Sequence, residues 1–176
     1  MHIITDLDFL RQPCASVPAD TPIDDLVRDL FRELQERGAQ GLSANQLGRQ
    51  LRVFVMAMNE QPPICLVNPI IHKARGHQTF EEGCLSLPDQ FYVVTRAMLV
   101  VISGENQHRQ AVKLRFSGPE ARTALHEYDH TGGRLIVDVG KPLTGPRRLQ
   151  VRANPPSLMW GNPKVPDRNL KGDLVS

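Results

Sequence analysis

The segment TALHEYDHTGG, residues 123–133, contains His126, Glu127 and His130 in the spacing H-E-x-x-H. This spacing constrains the fold more than any other feature. On an α-helix, residues four apart lie on one face, so His126 and His130 present two imidazoles to one ion. Glu127 lies about 100° further round, close enough to act on a water without itself coordinating. The chain must therefore hold a helix here and bring a third ligand to it from elsewhere. A catalytic site takes three protein ligands and keeps one position open, whereas a structural site takes four. The third ligand is open to Cys84, Cys14, Cys65, the histidines at 2, 72, 77 and 108, or a downstream acid. Asp138 follows too closely to act as a distant carboxylate ligand, and no histidine follows His130. Cys84 stands out because Gly83 beside it permits unusual backbone geometry and Pro88 ends its segment.

The rest of the chain reads as α+β. Residues 21–38 predict an amphipathic helix. Ile23, Leu26, Val27, Leu30, Phe31 and Leu34 fall on one stripe, with Thr21 as N-cap, Pro22 at the first position and Gly38 as the stop. Residues 51–58, 64–71, 91–104 and 110–116 predict strands, and 38–48 a glycine-rich loop. A second helix runs from a cap at Ser117 or Gly118 to Gly132 and Gly133. The expected architecture is small mixed or antiparallel sheets packed around a central H-E-x-x-H helix, with the amphipathic helix nearer the N-terminus. Residues 1–140 are expected to form a catalytic domain. Residues 141–176 form a proline-rich tail carrying seven Lys/Arg against Asp167 and Asp173.

Composition narrows the function classes. Three cysteines without C-x-x-C spacing argue against a disulfide scaffold and for a reducing compartment, so cytoplasmic residence is expected. No run nears the ~18 apolar residues of a membrane helix, and the N-terminal residues do not resemble a secretory signal. Neither a membrane nor specific DNA is expected as a partner. The basic tail is the candidate for contact with a ribosome or another anionic surface.

Three segments in order, GLSANQLG (41–48), EGCLSLP (82–88) and HEYDH (126–130), resemble the signature motifs of the peptide deformylase family. The second matches through Glu82, Gly83, Cys84, Leu85 and Ser86. The third matches at His126, Glu127, Asp129 and His130, and the first keeps Gly41, Ala44 and Gln46. Ala39, Ser43, Asn45, Leu125 and Thr131 depart from the usual pattern, and these departures bear on the pocket rather than on the chemistry. The resemblance implies hydrolysis of the N-formyl group from N-formylmethionyl peptides or nascent chains. It implies one divalent ion on Cys84, His126 and His130, ferrous iron foremost, with zinc or nickel as substitutes. Glu127 would be the general base. Gln46 and the Leu85 backbone N–H would hold the oxyanion, and backbone groups near Gln40, Gly41 and Gly83 would bind the peptide as an added strand. Asp129 is the candidate carboxylate for a ligand imidazole, and Arg96 and Arg122 are candidates to orient nearby acids. The competing readings are an amidase or peptidase acting on a different acyl substrate, and a nascent-peptide-binding protein of the same fold without turnover. Retention of Glu127 argues against the second, because binding alone needs no base.

Overall fold

In the computed structural model, which describes residues 1–58 and 62–144, the elements follow from the apolar patterns just read, with several differences. A short helix, α1 (Leu7–Leu10), is capped by Asp6, whose carboxylate accepts from the backbone N–H of Asp8 and Phe9. The amphipathic helix α2 spans Asp24–Glu36. It begins later than expected, with Ile23 rather than Thr21 at the cap. The Thr21 N–H is bonded to the Pro18 carbonyl in a preceding turn, and Ile23 is buried with extended φ at its own entry to the core.

Next come β1 (Gly41–Ser43), a 3-10 turn (Ala44–Leu47), β2 (Val53–Met56) and β3 (Ile64–Arg75). The loop expected over 38–48 thus holds a short strand and a tight turn. The hairpin β4 (Gln78–Cys84) and β5 (Leu87–Arg96) follows, then β6 (Leu99–Glu105) and β7 (Ala111–Ser117). The single strand expected over 91–104 is two strands in different sheets. The Ala97 carbonyl is taken by the Gln78 side chain (2.9 Å) and the Met98 carbonyl by the Gly118 N–H (2.8 Å), which ends the ladder there. The helix α3 covers Gly118–Thr131, with Ser117 at its cap and Gly132 at its end, as expected. A short helix, α4 (Ile136–Val139), leads to β8 (Gly140–Pro142), so the boundary expected at residue 140 falls inside a strand. The remainder of the basic tail, 145–176, lies outside the described residues.

All strand pairs are antiparallel and form two sheets, β1-β2-β3-β6-β7 and β4-β5-β8. Strand β2 is buried on both faces because a helix covers each one. The α2 stripe (Leu26, Val27, Leu30, Leu34) packs on Leu42, Val53, Val55 and Val67. On the opposite face, Ala121 and Ala124 of α3 pack on Phe54, Val100, Ile102, Leu114 and Phe116. The small residues of α3 let it lie close to the sheet, which holds its H-E-x-x-H face at a fixed height over β1. No helix among the described residues is long and apolar enough to cross a membrane.

Candidate metal centre

Three elements meet at one point. Helix α3 supplies His126, Glu127 and His130; the end of β4 supplies Cys84; the 3-10 turn supplies Gln46. A β-bulge between Gly83 and Cys84 breaks the β4–β5 register. Bulges re-aim the residue that follows them, and here that residue is the cysteine. Gly83 also has no room for a side chain: a Cβ there would lie 2.7 Å from the Phe91 ring.

The ligating atoms of Cys84, His126 and His130 all lie within 4.8 Å of one another. Cys84 Sγ is 3.3 Å from His130 Nε2. Burial alone would raise the Cys84 thiol pKa, but His130 and His126 outweigh it and hold the thiol well below its ordinary value. Burial opposes protonation of His126, yet Cys84 and Glu82 keep its pKa well above that of free imidazole. The protein has thus gathered a thiolate and two imidazoles where their protons are in competition. That is the condition under which a divalent ion displaces protons and binds. One soft thiolate with two imidazoles suits zinc, iron and nickel alike. Among the described residues three donors meet rather than four, which would leave a position open on an ion, as a catalytic site requires.

The carboxylate that orients a ligand imidazole is Glu82, not the expected Asp129. Glu82 Oε2 accepts from His126 Nδ1–H at 3.0 Å, leaving Nε2 free to ligate. Burial would raise the Glu82 pKa, but His126 and Arg96 outweigh it and push it down to about 2. Arg96 spans both acids, at 2.6 and 3.0 Å to Glu82 and 2.8 Å to Asp129. It is the orienting residue of the two arginines singled out from the sequence; Arg122 instead stacks on Phe80, 4.9 Å from the ring centre. Arg96 and Glu82 are almost fully buried. Removing one partner of such a pair costs about 3–5 kcal/mol. Arg96→Met is therefore expected to lower unfolding free energy by about that amount in urea titration, with metal affinity falling as well.

Glu127 is buried, and burial is the main cause that lifts its carboxyl pKa above the usual range; His126, His130 and Ser43 oppose the rise. A carboxyl poised this way can take a proton and give it back. Its Oε2 accepts from the Ser43 hydroxyl at 2.8 Å. The other side of the carboxylate lies against Gly41, where a Cβ would come within 2.7 Å of Glu127 Cγ. Gly41, expected as a peptide-binding position, makes room here for the Glu127 side chain. Ser43 entered the sequence reading only as a departure from a motif. A serine three residues before a motif glutamine gives no warning that it reaches a carboxylate 84 positions later. Asn45, another departure, donates to the His130 carbonyl at 2.9 Å and ties the 3-10 turn to the end of α3.

Gln46 is fixed from both ends. Its Oε1 accepts from the Ser43 N–H (3.0 Å), which fixes the amide orientation. Its Nε2 therefore points toward Cys84 Sγ (3.5 Å) and Ser86 Oγ (3.2 Å). A cavity of about 600 Å³ opens over the cluster; Gln40, Gly41, Gln46, Gly83, Cys84, Leu85, His126 and Glu127 line it, while His130 is buried beneath. The site defines a hydrolase-type centre: a cluster of soft and imidazole donors, an adjacent buried carboxylate and an oriented amide.

Comparison with known proteins agrees with this class. The sequence profile of the family described as polypeptide deformylase matches residues 2–145. A peptide deformylase of Syntrophobacter fumaroxidans is 37% identical over 141 residues, covering 77% of this chain and 83% of the relative. The crystal structure of peptide deformylase from Thermotoga maritima superposes with a TM-score of 0.75 at 29% identity, over 80% of this chain and 97% of the other. The enzyme of the Vibrio parahaemolyticus bacteriophage VP16T, solved in complex with actinonin, superposes with a TM-score of 0.73 at 33% identity, over 77% of this chain and all of the other. The chain belongs to the peptide deformylase family.

Proposed function

We propose that this chain is a metal-dependent deformylase that hydrolyses the formyl amide of N-formylmethionyl peptides, with Cys84, His126 and His130 holding one divalent ion. The observation that carries the reading is the convergence of those three donors beside the buried carboxylate of Glu127. Ferrous iron is the proposed ion, and the donor set also accepts zinc or nickel. When bound, the ion supplies Lewis acidity, polarising the formyl carbonyl and making water more acidic.

The chain's own groups do the rest. Glu127 takes a proton from the attacking water, whose oxygen bonds to the formyl carbon. The same carboxyl then gives a proton to the departing amine nitrogen as the C–N bond breaks, releasing formate and a free N-terminus. Ser43 keeps the Glu127 carboxylate from turning away. The formyl oxygen, gaining negative charge, faces the Gln46 amide N–H and the Leu85 backbone N–H. Such donors matter most where they are already oriented, and Gln46 is held by Ser43 before substrate arrives. The peptide beyond the first residue would pair with backbone near Gln40, Gly41 and Gly83, a sequence-blind mode suited to many nascent chains. The catalytic unit would run through β8 to residue 142, working in the cytoplasm where its three unpaired cysteines stay reduced.

Gln46→Leu tests the oxyanion role. Loss of one such donor lowers kcat about 10²–10³-fold. Formate release by the variant, at full metal occupancy and with KM little changed, is the measurement. An unchanged kcat would remove Gln46 from the mechanism.

A further inference from the structure

The five-stranded sheet is covered by α3 on one face, and on the other α2 lies only over β1, β2 and the start of β3. Among the described residues nothing covers the remainder of that second face, from the end of β3 across β6 to β7. Strand alternation sends Val100, Ile102, Leu114 and Phe116 inward beneath α3. It sends Lys73, Arg75, Lys113 and Arg115 outward, where all four are exposed. The register puts them on one face: Lys73 lies opposite Val101, which lies opposite Arg115; Arg75 lies opposite Leu99; Lys113 lies opposite Ser103. His72 joins them through its bond to Ser103 Oγ (2.6 Å).

Among the described residues the charge on this face is uncompensated. Glu105 is the sole acid in these three strands, and Arg109 occupies it at 2.8 Å. Several other surface arginines are matched: Arg11 with Asp138, Arg28 with Asp25, Arg32 with Asp29, Arg37 with Glu33. Among the described residues none of the four sheet cations forms an ion pair.

We propose that this open sheet face binds the phosphodiester backbone of folded RNA. Two cations per strand at i and i+2 stand about 7 Å apart, and the two rows are separated by two strand widths, about 10 Å. That is a double row of positive charge around a shallow apolar floor of Leu99 and Val101. Among the described residues no Phe, Tyr or Trp of these strands points outward for bases to stack on, so recognition is of phosphate and not of sequence. An anionic membrane fits less well, because interfacial binding draws on Trp, Phe and Leu inserted among the headgroups. Charges on free strand edges also discourage edge-to-edge association. That role is met by either sign of charge, which separates it from RNA binding.

The test is fluorescence anisotropy of a labelled RNA hairpin with the full-length, metal-loaded protein, from about 50 to 200 mM salt. Four phosphate contacts give a slope of log affinity against log salt of about 3 to 4, or roughly a 100-fold loss across that range. The variant Lys73→Glu, Arg75→Glu, Lys113→Glu, Arg115→Glu is expected to lose RNA binding while releasing formate from a short formyl peptide at the wild-type rate. Lys113→Gln alone, the milder variant, should lower the slope by about one. RNA binding with an unchanged slope in both variants would overturn the proposal and assign the contact to the basic segment beyond residue 144. Absence of RNA binding by the wild type at 50 mM salt would overturn it too, as would tighter binding to phosphatidylserine vesicles than to RNA.

Discussion

Glu127→Ala is expected to lower kcat for formate release about 10²–10⁴-fold, the range over which a positioned proton-transfer group acts, while metal content stays at the wild-type level. The separation follows from geometry. Glu127 contributes no atom to the cluster of Cys84, His126 and His130. Its carboxylate is fastened instead by the Ser43 hydroxyl and fits against the bare Cα of Gly41. Removing it leaves the three ligands and the Glu82–Arg96 support in place. Steady-state kinetics alongside elemental analysis of the same preparation checks both halves. A variant that loses metal and activity together would make Glu127 a ligand, and a variant that keeps its rate would leave the reaction without its base.

The second large effect belongs to Cys84. Cys84→Ala is expected to abolish stable metal binding and, with it, formate release, because two imidazoles alone make an incomplete site. Cys84 is also the donor whose thiolate the histidines stabilise, so its loss removes the charge that makes the cluster attractive to a dication. Cobalt substitution gives a direct reading. The wild type should show thiolate-to-cobalt charge-transfer absorption in the near ultraviolet, and the variant should not. The same absorption in Cys84→Ala would assign the thiolate to Cys14 or Cys65. Burial raises the pKa of those two to about 11 and about 12, which disfavours them as ligands.

How much of this was legible in the sequence depends on how local the signal is. The helix carrying His126 and His130 was legible to within a residue or so at each end, because a proline, a capping serine or glycine and two glycines punctuate it. The stripe on α2 was legible too, although its start was not: the Pro18–Thr21 turn that claims the expected cap is a matter of tertiary geometry. The break between β5 and β6 carries no glycine or proline. It arises where Gln78 and Gly118, distant in sequence, bond to the carbonyls of Ala97 and Met98. The hairpin strand β4 was hidden by its pair of glutamates, which are poor strand formers; Glu82 is nonetheless buried because Arg96 and His126 meet it there.

The site shows the same division. The meeting of Cys84, His126 and His130 beside Glu127 was legible because that chemistry restricts the residue types and their spacing. Their supports were less so. Asp129, one turn from a ligand histidine, was the natural candidate to orient an imidazole, yet Glu82 does so from another sheet and Asp129 serves Arg96. Ser43 was invisible as a partner of Glu127 until β1 and α3 were seen packed together.

The most direct test of the account is formate release from formyl-Met-Ala-Ser by anaerobically purified protein, stripped with a chelator and titrated with ferrous iron or nickel. The stripped protein is expected not to turn over, and activity should rise with added metal to a plateau at one ion per chain. Fully metallated protein that releases no formate, or stripped protein that turns over as fast as the loaded form, would contradict it.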